Sequence, residues 1–77
     1  MDVKEVNSMV SANVRAEFAR YRVSPSQMAE RIGISESGIT KKLAGTNPFT
    51  VAELLALAEV MNVPLARFVA PPTDLNQ

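Results

Sequence analysis

The chain has no cysteine and no histidine. Without cysteine there is no disulfide to staple a small fold and no thiolate to hold a metal. Without histidine the commonest general base and the commonest metal ligand are both missing. Zinc fingers, triad hydrolases and histidine-based metalloenzymes are thereby excluded, and no cofactor is expected. Long apolar runs are also lacking: none approaches the roughly 18 residues of a membrane span, and no basic-then-apolar leader opens the sequence. Strand signals are scarce, with no alternating run closed by a hairpin turn. Net charge is absent as well, eight basic residues standing against eight acidic ones.

What is present suits one small globular domain. Hydrophobic residues make up 47% and charged ones 21% of 77 residues, a globular rather than a disordered composition. A core this size rarely supplies more than about 3–5 kcal/mol. The chain is expected to be soluble and cytoplasmic. Its charge is polarised along the sequence: residues 11–45 carry six basic against three acidic residues, while residues 46–77 carry Arg67 against Glu53, Glu59 and Asp74. For a nucleic-acid partner this distribution matters more than the zero sum.

Helix-start signals recur. Ser24-Pro25-Ser26-Gln27 offers an N-cap, a proline at the first helical position and a glutamine to close a capping box, with Val23 and Met28 placed as a hydrophobic staple. Thr50 and Glu53 form a second box, stapled by Phe49 and Leu54, and Ser35 caps a third start between Ile34 and Ile39. The expected fold is all-α, with five helices in a single domain over 1–77. Its core spans about 8–69, and flexible ends are expected at 1–6 and 71–77. The first helix is expected from about Asn7 or Ser8 to Arg22, with Val10, Val14, Phe18 and Tyr21 on its inner face. The second should run from Pro25 to Ile32 and end at Gly33, the third from Glu36 to Ala44. The fourth, Val51 to Met61, is apolar nearly all round and is expected to be the most buried. A short fifth should follow from Pro64 to Val69.

The segment from Ser24 to Gly45 carries the functional signal. Two short helices meet across Gly33-Ile34-Ser35, with the small Ala29 four residues before the glycine and the branched Ile39 six after it. A helix-turn-helix needs this arrangement: a small residue for close approach, a glycine for the left-handed turn, and an apolar lock on the next helix. The second helix of such a unit is free to enter a DNA major groove.

On these residues the chain resembles the helix-turn-helix domains of the lambdoid phage repressors and Cro proteins, the XRE-type family. The resemblance covers roughly Val10 to Val69. It rests on Met28-Ala29-Glu30-Arg31-Ile32-Gly33-Ile34-Ser35, on Ser37-Gly38-Ile39, on Leu43-Ala44-Gly45, and on the stretch from Ala56 to Leu65 that looks like the family's fourth helix and its Pro-Leu lead into a fifth. The five-helix pattern is more specific than the helix-turn-helix alone.

The resemblance implies a sequence-specific regulator that occupies a double-stranded DNA operator, usually as a two-fold homodimer. At 3.6 residues per turn, Ser37 and Lys41 lie opposite Ile39 and Leu43 and are the leading base readers. Glu36, at the helix start, is either an end-on reader of cytosine or simply an acid suited to a helix N-terminus. Thr40 and Lys42 flank the strip, Thr40 beside the bases and Lys42 on phosphate. Further phosphate candidates are Ser26, Gln27, Thr46, Asn47 and Arg15, each also readable as a solvated polar residue. Family members often have glutamine where this chain has Pro25, so the family's phosphate contact at that position is lost. Gly38 costs about 1 kcal/mol inside a helix relative to alanine; either close approach of DNA or tight packing against the second helix accounts for it. Leu65, Phe68 and Val69 on the short fifth helix are either dimer contacts or the last pieces of the core. A different class, a protein-interaction module on the same fold, is favoured by the zero net charge. Catalysis is not expected, because no acid, base and nucleophile converge.

Overall fold

In the computed structural model, which describes residues 1–71, four of the five helices start on a capping side chain. The elements are α1 (Val3–Tyr21), α2 (Pro25–Ile32), α3 (Glu36–Leu43), α4 (Val51–Met61) and α5 (Ala66–Val69), with no strand among the described residues. Ser24 Oγ accepts from the Gln27 N–H at 3.1 Å, and Ser35 Oγ from the Gly38 N–H at 3.0 Å. Thr50 and Glu53 close a reciprocal box, at 2.8 and 3.1 Å. The box expected at Ser24 is only half made, since Gln27 returns no side-chain bond.

α1 starts earlier than its apolar stripe implies. Asp2 and Glu5 form a capping box of their own, at 2.8 and 3.1 Å, so residues 3–6, expected in a flexible end, are helical. The acid pair was present in the sequence, but the inward stripe begins only at Val10. α5 is shorter than expected, starting at Ala66 rather than Pro64. The expected flexible end past Pro71 lies outside the described residues.

The core gathers Val10, Val14 and Phe18 from α1, Met28 and Ala29 from α2, Ile39 and Leu43 from α3, Leu54, Leu57 and Ala58 from α4, and Phe68 from α5. Each such large side chain contributes roughly 1.5–3 kcal/mol by leaving water. One expectation fails here, and another, that α4 is the most covered helix, holds without its being buried on every side. Tyr21 is 49% exposed, because α1 ends there, beyond the core. α4 is not buried all round: Val51 is 68% and Leu55 51% exposed, since so small a domain has too few neighbours to cover every face of a helix.

α1 packs against both α3 and α5, and α2 packs against α3 and α4. Three polar side chains are buried on α1: Ser11, Asn13 and Glu17. Asn13 Nδ2 donates to Phe68 O at 3.0 Å and to Ala70 O at 2.9 Å, tying α5 down. Glu17 Oε2 lies 3.7 Å from Arg20 and 3.9 Å from Arg67, while its Oε1 is buried without a hydrogen bond.

Candidate nucleic-acid interface

The α2–α3 unit has the geometry that its sequence calls for. Ala29 is buried, and Gly33 takes a left-handed conformation at φ +83° while its N–H donates to Ala29 O at 2.9 Å. Ile39 is fully buried and pins α3 from its inner side, with Leu43 one turn later. The opposite side of α3 therefore faces solvent, with Ser37, Thr40 and Lys41 exposed along it, while Glu36 is exposed at the helix start, nearer the Ile39 side. Thr40 Oγ1 is occupied, donating to Glu36 O at 2.9 Å. The side chains of Glu36, Ser37 and Lys41 make no hydrogen bond or ion pair within the described residues. They leave an acceptor, a hydroxyl and a cation open to solvent.

Gly38 has a neighbour that neither sequence-level alternative named. A Cβ there would stand 2.9 Å from Ser35 Oγ, the atom that accepts from Gly38's own N–H. A side chain there would make the cap hydroxyl shift by a few tenths of an ångström, an adjustment that the caps before Gln27 and Glu53 have already made.

The phosphate candidates divide. Ser26 and Gln27 are exposed at the start of α2, but the Gln27 N–H is already spent on Ser24, leaving its side chain and the Ser26 groups. Thr46 and Asn47 are exposed, yet their N–H groups turn back to Lys41 O at 2.9 and 3.4 Å, so only their side chains are available. Lys42 is engaged inside the fold: Nζ donates to Glu53 Oε1 at 2.9 Å and to Pro48 O at 3.2 Å. The expectation of Lys42 as an open phosphate ligand is corrected on that ground. Arg15 spends an Nη1 donor on Leu43 O, although the residue stays exposed.

The Lys42–Glu53 pair also recasts the charge polarity of the sequence. An acid from the negative second segment neutralises a cation of the positive first segment, leaving Lys41 as the cation on α3 without an internal partner among the described residues. Burial works to raise the Glu53 pKa, but the Thr50 N–H bond and the adjacent Lys42 ammonium outweigh it, and the carboxyl sits below the ordinary glutamate value.

Sequence reasoning missed Ser11. Its Oγ donates to Lys42 O at 2.7 Å, so Ser11 and Arg15, one turn apart on α1, both reach the carbonyl end of α3. A serine and an arginine four apart on a helix carry no local sign of partners 31 and 28 residues away.

Of the dimer candidates, Phe68 is fully buried and belongs to the core, which removes it as a contact. Leu65 is half-buried against the core, and Val69 is 42% exposed. Among the described residues no helix is long and apolar enough to cross a membrane, and no group of three or more acidic, histidine or cysteine side chains is placed to hold a metal.

Comparison with known proteins gives one family. The model of the BetR domain matches residues 5–74, nearly the whole chain and both helices of the helix-turn-helix. No curated protein and no solved structure gives a significant match.

Proposed function

The chain belongs to the BetR domain family, small helix-turn-helix-like DNA-binding domains, and on that footing we propose that it is a sequence-specific transcriptional regulator acting by operator occupancy. The lambdoid repressor and XRE families give no match of their own, so a phage or prophage repressor is a narrower form of this reading. The observation that carries the reading is the open face of α3: Ser37 and Lys41 point away from the Ile39–Leu43 anchor, Glu36 stands exposed at the helix start, and none of the three side chains has a partner among the described residues. In a major groove Lys41 donates to guanine O6 or N7, Ser37 bonds a base edge beside it, and Glu36 accepts from cytosine N4 at the helix start. Ser26 and the side chains of Gln27, Thr46 and Asn47 hold phosphates on either side, while Arg15 has already given a donor to Leu43 O.

Operator occupancy blocks polymerase without chemistry. With so few free cations near α3, a single domain binds weakly, and a two-fold homodimer with half-sites about 34 Å apart on one face of the DNA supplies the missing affinity. Val69 and the edge of Leu65 are the dimer contacts left open once Phe68 is assigned to the core. Such a regulator works at the bacterial nucleoid.

A second reading, a protein-interaction module, is supported by the neutralised Lys42 and by exposed Val51 and Leu55 on α4. Selection from randomised duplexes at low and moderate salt separates the two. Enrichment of a two-fold symmetric motif that Lys41→Ala relaxes at one base position, by about 1–3 kcal/mol, is the expected result. No enrichment and no salt-sensitive retention would sink the DNA reading.

A further inference from the structure

The far end of α3 is held by another helix. An eight-residue helix has four carbonyls at its C-terminus without intrahelical partners. Thr40 O accepts from Ala44 N at 3.0 Å, and Lys41 O from Thr46 N at 2.9 Å. Lys42 O accepts from Gly45 N at 3.1 Å and also from Ser11 Oγ at 2.7 Å. Leu43 O accepts from the Arg15 guanidinium, a cation placed at the negative end of the helix dipole, where the bond is charge-assisted. Ser11 is 1% exposed, so its hydroxyl has no solvent to turn to.

We infer that Ser11 and Arg15 are positioning residues for DNA recognition, clamping the C-terminal end of α3 so that Lys41 and the Thr46–Asn47 loop are presented in one fixed geometry. This inference rests on the DNA-binding reading above. Ser35 caps the start of α3, Ile39 and Leu43 seat its inner side in the core, and the Lys42 ammonium ties its last turn to Glu53. Among the described residues, however, only Ser11 and Arg15 bring side chains of another helix onto the carbonyls of that end. Lys41 stands immediately before the first clamped carbonyl, and its own carbonyl anchors the following loop, so loss of the clamp displaces both. Recognition tolerates little displacement, because contacts of this kind need the reading side chains held within about 0.5 Å. Ser11 cannot touch DNA, which separates positioning from direct contact.

The test has two arms, run on Ser11→Ala and, as a second variant at an exposed site, Arg15→Gln. Circular dichroism and thermal melting first establish that each is folded at the working temperature. Amide exchange without DNA reads the clamp itself, and faster exchange confined to residues 44–47 is expected. Affinity for the duplex enriched by the selection, measured across a salt series, reads its consequence. Ser11→Ala should weaken binding about threefold to tenfold, the worth of one hydrogen bond, with the salt slope unchanged. Arg15→Lys, which keeps a donor, should restore most of what Arg15→Gln loses. Faster exchange at 44–47 with unchanged affinity would overturn the inference, as would a loss in Arg15→Gln alone with the slope lower by about 0.9, the mark of a direct phosphate contact. Wild-type chain that retains no duplex would overturn the DNA reading and this inference with it, whereas wild-type binding with unaltered variants overturns the inference alone.

Discussion

The two ends of α3 are secured in opposite ways. Its start is held locally, by a serine three residues before the amide it accepts from. Its finish is held by side chains 28 and 31 residues away in the chain. Local ties of the first kind follow from spacing rules and are visible in sequence; ties of the second kind exist only once the helices have packed. The same division runs through the molecule. Caps and left-handed turns order α2, α3 and α4 from within, while Asn13 and Ser11 on α1 bind the ends of α5 and α3 from outside.

The comparison can be broken most severely at the pin that both ends share. Ile39→Ala removes a fully buried side chain and should cost about 2–5 kcal/mol, enough to unfold much of so small a domain in a urea titration. Next comes a long-range tie. Asn13→Ala strands two carbonyls, those of Phe68 and Ala70, and should cost about 1–3 kcal/mol, with amide exchange accelerated in α5 before the rest. A local tie should cost less: Ser35→Ala loses the α3 cap, worth about 1 kcal/mol, read from the shift in urea midpoint at constant slope.

Acid sharpens the same contrast at the join between α3 and α4. Folded Glu53 holds its proton less tightly than the unfolded chain does, so its share of stability is full above the ordinary glutamate range. That share is lost as pH falls through the lowered folded value. Glu53→Gln should therefore lower stability at neutral pH and flatten this part of the acid limb in a pH series of melts. The smallest effect is expected for Gly38→Ala. The gain of up to about 1 kcal/mol in helix propensity is partly offset by the shift that a Cβ forces on Ser35 Oγ, leaving a melting temperature at or slightly above that of the parent.

Legibility in the sequence follows the same line. The bounds of α2 and α4, the left-handed turn at Gly33 and the inward Ala29 and Ile39 were all readable, because each depends on residues within one turn. The start of α1 was readable too, through Asp2 and Glu5, but an inner stripe beginning at Val10 drew the boundary inward. The exposure of Val51 and Leu55 was not readable: an apolar helix looks buried until the number of its neighbours is known. Nor was the engagement of Lys42, whose partner Glu53 sits 11 residues on beyond a loop of unspecified path. In the candidate interface, the open face of α3 was legible from angular spacing alone. Which cations around it remained free was not.

The most direct test of the account is to follow the backbone amides of the labelled chain by NMR while adding the enriched duplex. The largest shifts should fall on Glu36 to Lys41, with smaller ones at Ser26, Gln27, Thr46 and Asn47, and little change along Val51 to Glu59. Shifts centred on the exposed Val51–Leu55 face of α4, with α3 silent, would contradict it.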